Sequence, residues 1–105
     1  MSEFKKIEEV FKKSYVNKEV KLRGWVYRKR ELKDVIFILL RDSSDIIQCT
    51  IKKGSSAFEK AKKITTESSI ELSGNVKEVK KTQNDQHEIH FLILHISPVY
   101  LVMLA

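Results

Sequence analysis

The chain has 105 residues, the size of a single domain with a modest hydrophobic core. Its 20 lysines and arginines outnumber its 14 aspartates and glutamates, and the net charge of +6 favours an anionic partner. The single cysteine, Cys49, excludes an internal disulfide and favours a reducing compartment such as the cytoplasm. The charged N-terminus lacks a signal-peptide pattern, and no apolar stretch approaches the ~20 residues of a membrane helix. We therefore expect a cytoplasmic domain that does not bind a membrane.

Residues 1–17 are predicted to form an N-terminal helix that covers one end of the fold. Between residues 2 and 14 the apolar side chains recur at helical spacing, and lysines and glutamates occupy the other face. The apolar stripe consists of Phe4, Ile7, Val10 and Phe11, followed one turn later by Tyr15. A helix that binds a partner protein is the alternative interpretation of the same stripe.

Residues 20–97 are predicted to form a β-barrel, because apolar and polar side chains alternate along most of this region. The first strand is expected over residues 20–28, and Gly24 within it indicates sharp curvature or a bulge. Residues 28–34 are predicted to be a short loop. This loop would carry the cations Arg28, Lys29, Arg30 and Lys33.

Strands two and three are predicted over residues 35–41 and 45–52, joined by the turn-forming sequence DSSD. With Ser43 and Ser44 as the loop, the hairpin register follows directly from the numbering. The pairs Ile36–Ile51, Ile38–Cys49 and Leu40–Ile47 are then apolar and form the core face. The opposite face carries the pairs Phe37–Thr50, Leu39–Gln48 and Arg41–Ile46.

A second helix is predicted over residues 56–64, with a capping box formed by Ser56 and Glu59. Pro98 is expected to end regular strand pairing. The other expected segments are strand four, a polar connection, strand five and a C-terminal tail: residues 69–79, 80–86, 87–96 and 98–105.

The order of these elements predicts an all-β fold with a minor helical part. A three-stranded meander, a helix and a final hairpin make the five-stranded Greek-key barrel of the OB-fold, with an N-terminal helix added. Such barrels bind nucleic acid on the face of strands two and three, flanked by the loops that join strands one to two and four to five. The sequence therefore predicts a single nucleic-acid-binding domain.

The candidate binding residues lie on or beside that face. Phe37 points outwards and offers a stacking surface to an unpaired base, although it could instead pack on the N-terminal helix or another subunit. Gln48, diagonal to Phe37, can present a donor and an acceptor to a base edge. Arg28, Lys29 and Arg30 are placed to contact phosphates and base edges, or serve only as a solubilising loop.

No catalytic or metal-binding constellation is predicted. His87 and His90 would point to opposite faces of strand five, and no second cysteine supports a metal site with them. Cys49 is expected to be inert because it points into the core. We therefore expect no metal, no cofactor and no catalysis in this chain alone.

The segments RGWVYRKR, VIFILLRD and IIQC resemble the N-terminal anticodon-binding domain of class IIb aminoacyl-tRNA synthetases, which charge aspartate, asparagine or lysine. The resemblance covers residues 20–96. It is strongest to the asparaginyl enzymes of archaeal and eukaryotic type, through LRDS, IQC, FEKAKK and TESS, with the aspartyl enzymes second.

The resemblance implies specific roles for individual residues in tRNA binding. Phe37 would stack on an anticodon base, and Gln48 would read the central uracil that these tRNAs share. Arg30 would contact the anticodon backbone or bases. Glu88 would act at the first anticodon base, although the glycines that usually precede this acidic residue are replaced by the sequence DQH.

The resemblance also implies that the parent enzyme is an ATP-dependent class II ligase and a cytoplasmic homodimer. Its ATP and magnesium sites would lie in a catalytic domain that is absent from these residues. The chain would then be either a fragment of a synthetase or a free-standing relative. Three alternatives remain: a general module for single-stranded nucleic acid, an oligomerisation domain, and an unrelated enzyme domain. The role of the apolar residues 98–105 stays open, whether as an altered terminus or as a segment that packs on the barrel or on a second copy.

Overall fold

The computed structural model describes residues 4–13, 15–83 and 87–104; for residues 81–83, 87–91, 98 and 99 it describes the backbone only. Five strands close into one barrel in the order β1-β2-β3-β5-β4, with β3 and β5 parallel and the other neighbours antiparallel. Together with two helices this confirms the predicted OB-fold. In chain order the elements are α1 (Ile7–Lys13), β1 (Glu19–Glu31), β2 (Val35–Arg41), β3 (Ile46–Lys52), α2 (Ser56–Lys63), β4 (Ser69–Gln83) and β5 (His87–Leu104).

The hairpin of β2 and β3 has the predicted register. Ile36, Ile38 and Leu40 pair with Ile51, Cys49 and Ile47, and all six side chains are buried in the core. Because side chains alternate along a strand, the residues between them point outwards. The hairpin therefore separates the core from a half-buried outer face.

The prediction that β1 ends at Arg28 and gives way to a basic loop is wrong. β1 continues to Glu31, and Arg28, Lys29 and Arg30 pair with Leu39, Ile38 and Phe37 of β2. The register shifts between Val26 and Arg28, so Tyr27 is the extra residue of a β-bulge. Short-range patterns gave no sign of this pairing, because a run of cations resembles a loop when the partner strand is not considered.

Gly24 does not lie in a β-bulge. It lies in regular register with Ile70 of β4, but a Cβ atom at this position would lie 2.2 Å from the carbonyl oxygen of Arg41. No side chain fits at that distance, so glycine allows β1 to bend from one neighbouring strand to the next. The bulge occurs three residues later, at Tyr27.

The prediction that pairing ends near Pro98 is also wrong. β4 and β5 both extend beyond their predicted ends, and Leu72 and Gly74 pair with Leu101 and Ile96. Residues 97–100 therefore lie opposite Ser73 alone, in a large irregular bulge of β5. Proline is tolerated in such a bulge because its missing N–H group is not needed for regular pairing. Most of the predicted tail is thus strand, with Leu101 buried and the next three side chains exposed.

Helix α1 is shorter than predicted. Its apolar residues Ile7 and Val10 are fully buried and cover the barrel core, as predicted, whereas Phe11 is exposed. Phe4 pairs with Lys21 in a β-bridge and does not belong to the helix. Residues 1–3 and 14 of the predicted helix, and residues 84–86 of the predicted polar connection, lie outside the described residues.

The start of α1 is set by the turn between β2 and β3. The Asp42 carboxylate accepts hydrogen bonds from the backbone N–H of Ile7 at 2.9 Å, of Ser44 at 2.7 Å and of Asp45 at 3.0 Å. Ser44 Oγ accepts one from the N–H of Glu8 at 3.0 Å. Burial raises the pKa of Asp42, but the hydrogen bonds from Ser44, Ile7 and Asp45 outweigh it and hold the pKa below its usual value. A distant turn thus caps this helix.

Helix α2 begins one residue earlier than its predicted cap implies, with Ser55 as the N-cap. Ser55 Oγ accepts a hydrogen bond from the Phe58 N–H at 3.1 Å, so Ser56 and Glu59 do not form the predicted capping box. The C-terminal end of α2 is capped by a side chain of β1. Lys29 Nζ donates to the carbonyl oxygens of Ala61, Lys62 and Ile64 at 3.0, 3.2 and 2.7 Å.

Asp42→Asn tests the cap of α1. The lowered pKa means that the carboxylate stabilises the fold above its unfolded-state pKa of about 3.9, and that this contribution is lost as the pH falls through the folded-state pKa. We expect Asp42→Asn to be about 1 kcal/mol less stable at pH 7 and to lose less stability than the wild type from pH 5 to pH 2. Urea unfolding followed by circular dichroism measures both. Asp34→Asn, which removes an exposed carboxylate, should keep the wild-type profile; a wild-type profile in Asp42→Asn would contradict the capping role.

Candidate nucleic-acid interface

An open groove of about 390 Å³ lies on the outer face where β1, β2 and β3 run side by side. It brings together five of the predicted binding residues and one further apolar residue. They are Arg28, Lys29, Arg30, Phe37, Gln48 and Leu39. The backbone of Glu88 pairs with Thr82 in the β4–β5 hairpin, and its side chain lies outside the described part of the structure.

Two cross-strand rows build the groove. In the first row Arg30 pairs with Phe37, and in the second row Arg28 pairs with Leu39, which in turn pairs with Gln48. Phe37, Leu39 and Gln48 are half-buried, so each presents part of its side chain to solvent. Neighbours of this kind lie about 5 Å apart, which is the scale of a single nucleobase. The groove therefore combines an aromatic ring, an amide and two guanidinium groups within reach of one ligand.

The bulge at Tyr27 determines which cations face the groove. After it, Arg28 and Arg30 share the outer face with Leu39 and Phe37, whereas Lys29 falls on the side of the core. Lys29 lines the groove with part of its side chain, but its ammonium group is held by three carbonyls of α2 and lies 3.9 Å from Glu31. Of the three cations that were predicted to bind nucleic acid, Lys29 thus has its ammonium group bound within the protein.

Arg28 and Arg30 differ from Lys29 in their electrostatic partners. Both are exposed, and no carboxylate of the described residues forms an ion pair with either of them. Their positive charge is therefore available to an anionic ligand. Planar guanidinium groups suit phosphate oxygens and base edges, to which they can donate two parallel hydrogen bonds.

A stacked column of side chains adjoins the groove, and the sequence-based prediction missed it. Arg41 lies over the rings of Trp25 and Tyr27, with its guanidinium carbon 5.8 and 5.6 Å from their centroids. The Arg28 guanidinium carbon lies 5.3 Å from the centroid of Tyr27. We call Trp25, Arg41, Tyr27 and Arg28 the arginine column. Strand alternation is the signal that could have found it, because alternation along β1 puts Trp25 and Tyr27 on one face, and the predicted hairpin register puts Arg41 and Leu39 on the outer face.

A second groove of about 430 Å³ lies on the other side of Thr50. Lys52, Lys53 and His95 contribute to its walls. The pKa of His95 is lowered, first by burial and then by the positive charges of Lys52 and Lys77. This groove adds to the basic character of the β3 side of the barrel.

Cys49 is fully buried, and burial raises the pKa of its thiol far above its usual range, so it stays protonated. Neither of the two described helices has the length or apolar composition that crossing a bilayer would require.

Comparison with known proteins identifies the family. The model of the tRNA anticodon family, described as an OB-fold nucleic acid binding domain, matches residues 20–99. The chain is 42% identical over 79 residues to an asparagine–tRNA ligase of Thermoplasma acidophilum, covering 72% of this chain and 18% of that protein. It is 44% identical over 72 residues to an aspartate–tRNA(Asp/Asn) ligase of Saccharolobus solfataricus, covering 69% and 17%.

The solved structures give the same result. The crystal structure of asparaginyl-tRNA synthetase from Pyrococcus horikoshii superposes with a TM-score of 0.74 and 34% identity, covering 98% of this chain and 23% of that one. The chain thus spans less than a quarter of the length of these relatives. The matched region includes β2, β3 and β4 in full and most of β1 and β5, and the chain belongs to the tRNA anticodon family of OB-fold nucleic-acid-binding domains.

Proposed function

We propose that the groove binds the anticodon loop of a tRNA and that the chain serves as the anticodon-binding domain of an asparagine–tRNA ligase. The observation that carries this proposal is the joint position of Phe37, Gln48, Arg28 and Arg30 in one open groove. Stacking on the ring would supply affinity, the amide would read a base, and the guanidinium groups would bind the backbone. The similarity to asparagine–tRNA ligases supports the choice of amino acid.

The proposed roles are those that the resemblance implies, and the positions of Phe37, Gln48 and Arg30 in one groove support three of them. Phe37 stacks on one anticodon base, and Gln48, across Leu39 in the neighbouring row, hydrogen-bonds to the edge of the central uracil. Arg30, opposite Phe37, contacts the phosphate or base of the stacked nucleotide. Glu88 is proposed to contact the first anticodon base.

The complete enzyme is proposed to be a cytoplasmic homodimer that uses ATP and magnesium in a separate catalytic domain. The anticodon-binding domain would contribute tRNA recognition and no bond-making step. An aspartate–tRNA ligase is the second candidate, because the chain is 44% identical to an aspartate–tRNA(Asp/Asn) ligase over 72 residues. Binding assays with asparagine, aspartate and lysine tRNAs distinguish the candidates by the order of their affinities.

Phe37→Ala tests the stacking surface. We expect the affinity for an asparagine anticodon stem-loop to fall by about 1–3 kcal/mol, the contribution of one base stacked on an aromatic ring. Fluorescence anisotropy with a labelled stem-loop measures the change. Phe11→Ala is the matched control, because Phe11 is a phenylalanine that reaches solvent, as Phe37 does, but lies on α1. Equal affinities of the Phe37→Ala variant and the wild type would refute the stacking role.

Gln48→Ala tests base reading. We expect the wild type to prefer a stem-loop with a central uracil over one with a central cytosine. An amide held in one orientation matches the N3–H donor and O4 acceptor of uracil, and cytosine presents the reverse pattern at these two positions. The variant should lose most of this preference while it keeps binding both RNAs, as measured by competition between the two stem-loops. Thr50→Val, on the same face of β3, should retain the preference. A similar loss for both RNAs in Gln48→Ala would argue against base reading.

Lys29→Met and Arg30→Gln test the different roles of two adjacent cations. Lys29→Met removes three hydrogen bonds to the end of α2, so the free energy of unfolding should fall by about 2 kcal/mol while the affinity for the stem-loop changes little. Arg30→Gln should leave stability unchanged, weaken RNA binding and make it less dependent on salt. Urea unfolding and titrations at two salt concentrations separate the effects; the opposite pattern would reverse the two assignments.

A further inference from the structure

The arginine column presents two positive charges that have no acidic partner among the described residues. Arg28 and Arg41 are both exposed and lie over the same ring, that of Tyr27. Cation–π contacts of this kind favour each guanidinium group by about 0.5–1 kcal/mol at exposed sites, but they do not neutralise charge. Two cations that share one ring also repel each other. An anion bound beside either guanidinium group would offset this repulsion.

The carboxylate next to Arg41 in sequence is not available to do so. Asp42 is occupied by the N–H groups of Ile7, Ser44 and Asp45. Arg23 provides a useful contrast, because it also stacks on a ring, that of Phe4 at 4.4 Å, but forms an ion pair with Glu71 at 3.7 Å. Arg28 and Arg41 are therefore stacked and unneutralised, whereas Arg23 is stacked and paired.

The column is continuous with the groove. Arg28 belongs to both, since it lines the groove and lies over Tyr27. Arg41 shares the outer face of β2 with Leu39, two residues earlier, which is a distance of about 7 Å along the strand. An RNA strand with one base on Phe37 would carry its neighbouring phosphates along this surface. The anion that fits is thus a phosphodiester of the same strand.

We propose that the arginine column is a second RNA subsite, in which Arg28 and Arg41 bind the phosphodiester backbone next to the nucleotide held on Phe37. Trp25 and Tyr27 are positioning residues in this subsite, because the guanidinium groups of the exposed Arg28 and Arg41 lie over their rings. The subsite rests on the proposed binding of an anticodon loop. It extends that function from base recognition in the groove to backbone binding beyond it.

Arg41→Gln and Arg23→Gln form a matched pair that tests the subsite. Each removes one positive charge from an exposed arginine that lies over an aromatic ring. Arg41 loses its contacts with two rings of the column, whereas Arg23, outside the column, loses one ring contact and its ion pair with Glu71. With the asparagine anticodon stem-loop at 0.1 M salt, we expect Arg41→Gln to weaken binding by about tenfold, and Arg23→Gln by less than about twofold. The slope of log Kd against log salt should decrease by about 0.7 in Arg41→Gln only, since one phosphate contact is lost.

Two further variants separate a direct contact from an effect on folding. Arg41→Lys keeps the charge but loses the planar fork, and we expect about threefold weaker binding with an unchanged melting temperature. Tyr27→Phe keeps the ring and should bind as the wild type does, whereas Tyr27→Leu should lose affinity as Arg41→Gln does. Equal losses in Arg41→Gln and Arg23→Gln would overturn the subsite, because only net charge would then matter.

The Phe37→Ala variant distinguishes the failure of this inference from the failure of the proposed function. If Phe37→Ala weakens binding and both Arg41 variants bind as the wild type does, the groove binds RNA and the subsite is overturned. If the wild type does not bind the stem-loop, or Phe37→Ala binds it equally well, the anticodon-loop proposal is overturned, and the subsite with it.

Discussion

Closure of the barrel depends on one strand that pairs with two partners in succession. β1 pairs with β4 over its first half and with β2 over its second, and Trp25 lies opposite both Ser69 and Arg41. The exchange requires a bend, which Gly24 permits because no side chain fits beside the Arg41 carbonyl oxygen. The bulge at Tyr27 follows directly. The same local geometry that closes the core therefore orients the arginines of the binding face.

The outer face of β2 and β3 contributes less to the stability of the fold than the buried inner face does. Phe37 and Leu39 are large apolar side chains left half-exposed, and burial of such a side chain would contribute roughly 1.5–3 kcal/mol. Beside them lie cations without acidic partners among the described residues. Apolar surface and uncompensated charge at one place are unfavourable for the isolated fold but complementary to unpaired, negatively charged RNA.

Much of the fold and the centre of the site could be predicted from sequence, because they follow from local alternation. The DSSD turn and the apolar pattern fix the register of β2 and β3, which places Phe37 beside Gln48. Interactions between distant segments could not be predicted in this way. The bulge at Tyr27, the hold of Lys29 on α2 and the cap from Asp42 to Ile7 arise from tertiary packing, over separations of up to 35 residues in the last two cases. The prediction that pairing ends near Pro98 is wrong for the same reason, because only the pairing with β4 shows that Pro98 lies in a bulge.

The position of Lys29 limits how the specificity of this domain could be redesigned. A combinatorial library would naturally randomise the contiguous triplet of residues 28–30 together with Phe37 and Gln48. Most members with a changed residue 29 would, however, release the end of α2, because few side chains reach three carbonyls from a strand. Selection would then enrich clones for folding and not for ligand preference. A library that keeps lysine at position 29 and varies its two neighbours would confine the diversity to the surface that contacts the ligand.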